Sequence, residues 1–332
     1  MSVEPAVRDG ERETTDLSVL NLVSNDKSVF FDNQIDALAG RGVESTVLGV
    51  PGDNKSANIH EDENGTRSIY HYLRFVPTVV RESFGGYDLV HANYGLTAPA
   101  ALAQPTLPTV LSLWGSDLMG EFGWLTRRCV AHIDEVIVMS ERMAAELDRD
   151  CHVIPHGVDL DLFAPEPRCR ARKRLGWEEG TGHVIFPYPP GREVKNYPRA
   201  KRVVEAARER TSVPVTFHTV TDADHGEMPA YMNAADVLLL TSKREGSPNT
   251  VKEAMACNLP VVATDVGDVP ERLAGVTPST CGHTDRELVD GLVRALEAGD
   301  RSNGREYARD LSLDRMADRI RDVYRLALED AT

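Results

Sequence analysis

Lysine is scarce in this chain of 332 residues: of 37 basic side chains only seven are Lys and thirty are Arg, against 52 Asp and Glu, leaving a formal net charge of −15. An acidic chain lacks the cationic field that neutralising phosphates requires, which argues against a nucleic-acid binder. Low lysine with surplus carboxylate fits a salt-rich cytoplasm such as halophilic archaea keep, where a short Debye length screens self-repulsion, so a halophilic protein is expected. No apolar run approaches the roughly 20 residues that cross a bilayer. Residues 1–16 are acidic where an export signal would be basic and then apolar, and a cytoplasmic location is the expectation. The five cysteines, Cys129, Cys151, Cys169, Cys257 and Cys281, are widely spread with no Cys-x-x-Cys pair. That pattern offers neither a disulfide framework nor a zinc site, so they read as reduced and structural.

What is present is a rhythm of short apolar runs closing on polar or glycine-containing turns. Leu17 to Val23, Val43 to Leu48, Leu89 to Ala92, Thr109 to Leu113, Glu135 to Met139 and His152 to Ile154 read as strands buried on both faces, with a helix over Val29 to Leu38. Pro165, Pro167 and a charge cluster interrupt the rhythm. It resumes with strands at His183 to Phe186, Val213 to His218, Val237 to Leu240 and Val261 to Ala263, and a helix over Pro248 to Ala256. The length suits two lobes of about 150 residues each. The expected division is a flexible tail over 1–16, a first α/β domain over 17–165 and a second over 166–332. The amphipathic Arg305 to Leu328 closes the chain and is expected to pack back on the first domain.

The most informative stretch follows Val237 to Leu240. Ser247 is placed to cap a helix and Pro248 to occupy its first position, where a missing N–H costs nothing. The next amides, those of Asn249, Thr250 and Val251, would then point out of the helix start as an anion site. Glu253, one turn on, would lie on the order of 6 Å from them, a phosphate-to-ribose distance.

Two glutamates alone could be solvated surface groups. The order of pieces is what decides: Asn233-Ala-Ala-Asp236, the strand, Glu245-Gly246-Ser247-Pro248, Glu253 with seven residues between it and Glu245, and then Asn258-Leu-Pro-Val-Val-Ala-Thr-Asp-Val-Gly-Asp-Val-Pro-Glu271. This block resembles the donor-binding signature of the family 4 retaining glycosyltransferases. Val153-Ile-Pro-His156-Gly-Val-Asp159 resembles the family's inter-lobe motif, with His156 where Asn is usual, and Gly191-Arg192-Glu-Val-Lys195 resembles its pair of basic residues for the donor diphosphate. The resemblance implies two Rossmann-like lobes facing across a cleft, the GT-B arrangement. It also implies transfer, with retention, from a nucleotide diphosphate sugar to a glycan, lipid-linked or small-molecule acceptor.

The roles that follow put Arg192, Lys195 and Glu245 at the reacting centre, since fixed cations stabilise a leaving diphosphate in the transition state. Gly246, Ser247, Asn249, Thr250, Val251 and Glu253 are assigned to the donor. Trp114, Gly115 and Asp117 of Leu113-Trp-Gly-Ser-Asp117, together with His91, are assigned to the acceptor or sugar cleft. Trp114 stands where the family usually has His, and an indole can neither accept a proton nor carry a positive charge. Cations and amides suffice for the phosphates, so no metal and no cofactor are expected. The Asp148/Asp150, Asp159/Asp161 and Asp222/Asp224 pairs read as solvated carboxylates. A lipid-linked acceptor would draw the protein to the inner face of the membrane by peripheral association. The rival readings are a nucleotide-sugar epimerase of the same fold and a non-catalytic nucleotide-sugar binder.

Overall fold

The computed structural model describes residues 17–52, 67–221 and 223–330; the expected tail and Asp222 lie outside them. Strands β1 (Leu17–Val23), β2 (Val43–Gly49), β3 (Leu89–Ala92), β4 (Thr109–Leu113), β5 (Glu135–Val138) and β6 (His152–Val153) form one sheet in the order β2-β1-β3-β4-β5-β6. A second sheet orders β7 (Gly182–Phe186), β8 (Val215–Thr219), β9 (Val237–Leu240), β10 (Val261–Thr264) and β11 (Thr280–Gly282) as β11-β10-β9-β7-β8. Every pairing is parallel, from Leu17 opposite Val43 to Val184 opposite Val237. Helices on the sheet faces explain why β3, β4, β7, β9 and β10 are buried along their whole length and read as mostly apolar runs. The expected α/β class with two Rossmann-like lobes is what is found.

The expected strand from Val213 begins instead at Val215. Pro214 has no N–H for a ladder, and its carbonyl accepts from the Gly182 amide at the sheet margin.

The lobes are joined twice. The segment after β6 crosses to the second lobe, where Val158 and Phe163 enter its core. The final helix, Leu313–Asp330, returns to the first lobe and buries Met316, Ile320, Val323 and Tyr324 in that lobe's core. Arg41 pins it through Asp314 at 2.9 Å and Asp318 at 2.7 Å. At the crossing, Gly157 leaves no room for a side chain, since a Cβ there would stand 2.7 Å from the Cα of Leu313. Among the described residues no helix is long and apolar enough to cross a membrane.

Candidate active site in the inter-lobe cleft

A cavity of about 1000 Å³ lies between the lobes. Its walls come from the carboxyl ends of β1 and β3 on one side, through Ser24 and Asn93, and of β7 and β9 on the other, through Tyr188 and Glu245. In each sheet these strands flank the point where strand order reverses, the place where open α/β sheets leave a crevice for ligands.

On the second lobe the loop after β9 is held by its own backbone and side chains. Thr241 Oγ1 donates to the carbonyls of Lys195 and Asn196, both at 3.1 Å, and the Lys243 amide donates to Val194 O at 2.8 Å. Lys195 is thereby buried, its Nζ 2.6 Å from Glu245 Oε1 and 4.0 Å above the Tyr188 ring. Burial alone would depress the ammonium; the Glu245 carboxylate and Tyr188 more than offset it, and the pKa of Lys195 stands above its ordinary value. Ser242 Oγ donates to the same Glu245 oxygen at 2.6 Å. Tyr188 hydroxyl in turn meets Thr250 Oγ1. Arg192 lines the cavity and has no ion-pair partner among the described residues. Lys195 and Glu245, both assigned above to the reacting centre, thus form one ion pair, and of the two basic residues of that motif Arg192 is left to face an anion.

The helix start differs from its expected form. Pro248 is the N-cap, extended at φ −69° and ψ 117°, and the helix runs Asn249–Ala256. Ser247 therefore stands one residue outside and caps nothing; its buried Oγ has no partner. The Val251 amide is spent on Pro248 O at 3.1 Å and its side chain is core, which leaves the Asn249 and Thr250 amides for a ligand. Glu253 is buried outside the cavity lining, its Oε1 2.9 Å from His225 Nε2.

The first lobe brings Trp114, Gly115 and Asp117 to the cleft in a turn that Asp117 holds. Its carboxylate accepts from the amides of Trp114, Gly115 and Gly95 at 2.8–3.1 Å, so it organises the wall rather than offering a free carboxylate. Gly115 adopts φ 117° and abuts Gly246 of the other lobe, where a Cβ would lie 3.5 Å from the Gly246 Cα. His91 is not in the cleft. It lies within β3, one residue short of the strand end, with its side chain under the final helix, where it bonds Tyr324 Oη at 2.7 Å and Ser112 Oγ at 2.8 Å, and burial pushes its pKa down to about 3. Asn93, two residues later, lines the cavity instead.

His156, noted above only as a departure from the usual Asn, is the imidazole that does face the cavity. Its ring meets Trp114 edge-on at 4.7 Å and stacks on Phe30 at 5.8 Å. Burial, then the Lys252 charge, lowers its pKa to about 3 and keeps it neutral. The unpartnered buried atoms Trp114 Nε1, His156 Nε2, Ser247 Oγ and Asn249 Oδ1 belong to residues of this one cavity wall, contributed by both lobes. A buried polar atom without a partner costs free energy unless a ligand supplies one.

Asn233 and Asp236 of the signature are structural. Asn233 ties down the crossing segment through the Glu166 amide and the Ala164 carbonyl, and Asp236 pairs with Arg168 and Arg172 at 2.6 and 2.7 Å. Among the described residues no three His, Cys, Asp or Glu side chains gather as a metal site.

The family model described as Glycosyltransferase Family 4 matches residues 28–162, and the one described as Glycosyl transferases group 1 matches residues 194–298. Each model covers less than half of the chain, and together they put a glycosyltransferase match on each lobe. The D-inositol 3-phosphate glycosyltransferase of Pseudarthrobacter chlorophenolicus is 26% identical over 247 residues, which cover 56% of each chain. The chain spans about half the length of this and similar curated relatives. A GDP-mannose-dependent alpha-(1-6)-phosphatidylinositol monomannoside mannosyltransferase of Mycolicibacterium smegmatis is 25% identical over 341 residues, 84% of this chain and 89% of the other. Among solved structures, a sucrose-phosphate synthase from Thermosynechococcus elongatus superposes with a TM-score of 0.75 at 18% identity, over 95% of this chain and 100% of the other. Anabaena HepE in complex with UDP and glucose does so at 0.67 and 16%, over 92% and 98%. A likeness to glycosyltransferases therefore covers both lobes, and the solved structures share the fold.

Proposed function

We propose that this family 4 chain is a retaining, metal-independent glycosyltransferase that moves a sugar from a nucleotide diphosphate sugar to a glycan or lipid-linked acceptor. The observation that carries the reading is the set of unsatisfied donors and acceptors on facing walls of the cleft, with the Arg192 cation beside them. The donor diphosphate lies against Arg192 and the Asn249 and Thr250 amides, which bear its growing charge as the glycosidic bond breaks. The sugar sits between Glu245 and the Trp114–His156 wall, and the acceptor enters past the first lobe. His156, neutral and uncharged on this reading, serves as a hydrogen-bonding group and not as an ionic one. UDP and glucose in HepE and GDP-mannose in the mycolicibacterial relative lend support to a nucleotide-sugar donor. Incubation with labelled UDP- and GDP-sugars and a polyprenyl-phosphate or glycan acceptor tests it. Transfer that survives excess EDTA and retains the donor's anomeric configuration by NMR is expected; free epimerised sugar, binding without turnover, or inversion would overturn it.

The acceptor side also supports peripheral association with an anionic membrane surface. The helix Ile69–Glu82 exposes Ile69, Tyr70 and Leu73, and Trp124 is 64% exposed beside Phe122. Ile69, Leu73 and Phe122 line the cavity mouth. In a chain of net charge −15, residues 67–84 carry Arg67, Arg74 and Arg81 against Glu82 alone. An apolar strip with local positive charge suits anionic lipid. Sedimentation with phosphatidylglycerol vesicles but not phosphatidylcholine vesicles, lost on Leu73→Glu with Trp124→Glu, is the expected result, and failure to sediment with either lipid at low salt refutes it.

A further inference from the structure

His225 has no part in the chemistry so far, yet it touches the donor glutamate and, across the cleft, the opposite lobe. It opens the turn His225–Glu227. Its Nε2 is 2.9 Å from Glu253 Oε1, with side-chain exposures of 9% and 6%. Glu253's second oxygen takes no hydrogen bond from the described residues. The His225 ring packs against Phe163 at 5.2 Å and receives the edge of Phe30 at 5.7 Å. Phe30 belongs to the first lobe, in the first turn of Val29–Ala39, and its other aromatic contact among the described residues is the stack on His156, itself against Trp114.

We infer that His225 is a positioning residue that fixes the Glu253 carboxylate for the donor ribose, and that Phe30 makes this hold depend on closure of the two lobes. The inference rests on the donor reading above. A carboxylate on a helix interior has two oxygens and a rotatable terminal torsion. Tying one oxygen to the imidazole aims the other, the geometric condition for accepting ribose hydroxyls without losing torsional entropy at binding. The imidazole is itself fixed only when Phe30 from the facing lobe closes one side of it. An opened cleft removes that wall, and the donor pocket loosens with it. Besides Glu253, the charged group facing His225 is Asp159 of the crossing segment; burial disfavours the imidazolium, and these two carboxylates more than compensate, raising its pKa.

Calorimetric titration with UDP or GDP, whichever the wild type binds, set beside inorganic diphosphate, tests this. His225→Ala should weaken the nucleoside diphosphate about tenfold and leave inorganic diphosphate unchanged, because the latter does not reach Glu253. His225→Gln, which keeps a donor nitrogen, should recover most of the loss. The double variant His225→Ala with Glu253→Ala should bind no worse than Glu253→Ala alone. Phe30→Ala should reproduce part of the His225→Ala loss and add little to it, with Phe30→Leu as the variant that keeps apolar volume. Equal loss of both probes in His225→Ala, or an unaltered nucleoside diphosphate affinity, overturns the inference while the donor reading stands. A wild type that binds neither UDP nor GDP overturns the donor reading itself and this inference with it.

Discussion

At the scale of single residues, the buried ion pair of the site joins Lys195 and Glu245, whose side chains are 7% and 14% exposed. An ion pair this buried exists at a desolvation cost, and removing one partner leaves the other charge unmatched. Glu245→Ala therefore frees Lys195 for an anion. Affinity for a nucleoside diphosphate should stay equal or tighten, whereas turnover of the intact sugar nucleotide should fall at least about tenfold, as expected for a group acting on the transferred sugar. Calorimetry beside transfer rates checks this, and weakened nucleotide binding would contradict it. His91 and His156 carry a second consequence. Both are buried neutral with pKa values near 3, against 6.5 for the exposed side chain. Between those values an unfolded chain binds protons that the folded one refuses. The stability is fully present above pH 6.5 and is lost on acidification toward 3, by about 1.4 kcal/mol per pH unit for each histidine. Denaturant unfolding over that range should show this slope, and His91→Gln should flatten it by about one proton; an unchanged slope in the variant would exclude His91 as a source.

Among the elements, the loop from β9 into Asn249–Ala256 is built for close approach. A Cβ on Gly246 would lie 3.0 Å from Met143 Sδ and 3.1 Å from the Trp114 carbonyl oxygen. The methionine end can move, but the carbonyl is backbone of the facing lobe. Gly246→Ala should hold the lobes apart by a few tenths of an ångström. Misplacement by about 1 Å can cost on the order of a hundredfold in rate, so a fall in turnover of roughly tenfold with little change in unfolding midpoint is expected; unchanged turnover would mean that the lobes do not work at this separation. Strands such as β1, β3, β4 and β9 are legible in the sequence to the residue because burial makes each a short, mostly apolar run bounded by turns. The three-residue β11 is not, being short and half-exposed at a sheet edge. Nor is Ile69–Glu82, whose apolar residues point both into the core and out to the surface around an internal Pro77, blurring the helical period.

For the whole molecule, the charge surplus of −15 implies self-repulsion that dissolved salt screens. Unfolding midpoints should rise as potassium chloride is raised toward molar concentration, and a flat response would count against salt adaptation. The alternation of strands and helices, the break near Pro165 and the spacing from Glu245 to Glu253 are local or near-local properties of the chain, and the sequence by itself determined the two α/β units and the donor-lobe motif. Which polar groups meet was decided only by the tertiary structure. His91 and His156 are equally visible as histidines, but the first lies within β3 under the final helix, short of the strand end that opens on the cleft, while the crossing between lobes delivers the second to the cleft. Likewise the sequence assigns Glu253 to the donor but gives no sign of the His225 turn that folds over it. A contact between residues 28 positions apart, or between Phe30 and His225 from different lobes, depends on how the two sheets are set against each other. No periodicity along one segment encodes that distance, because it arises from packing many segments at once.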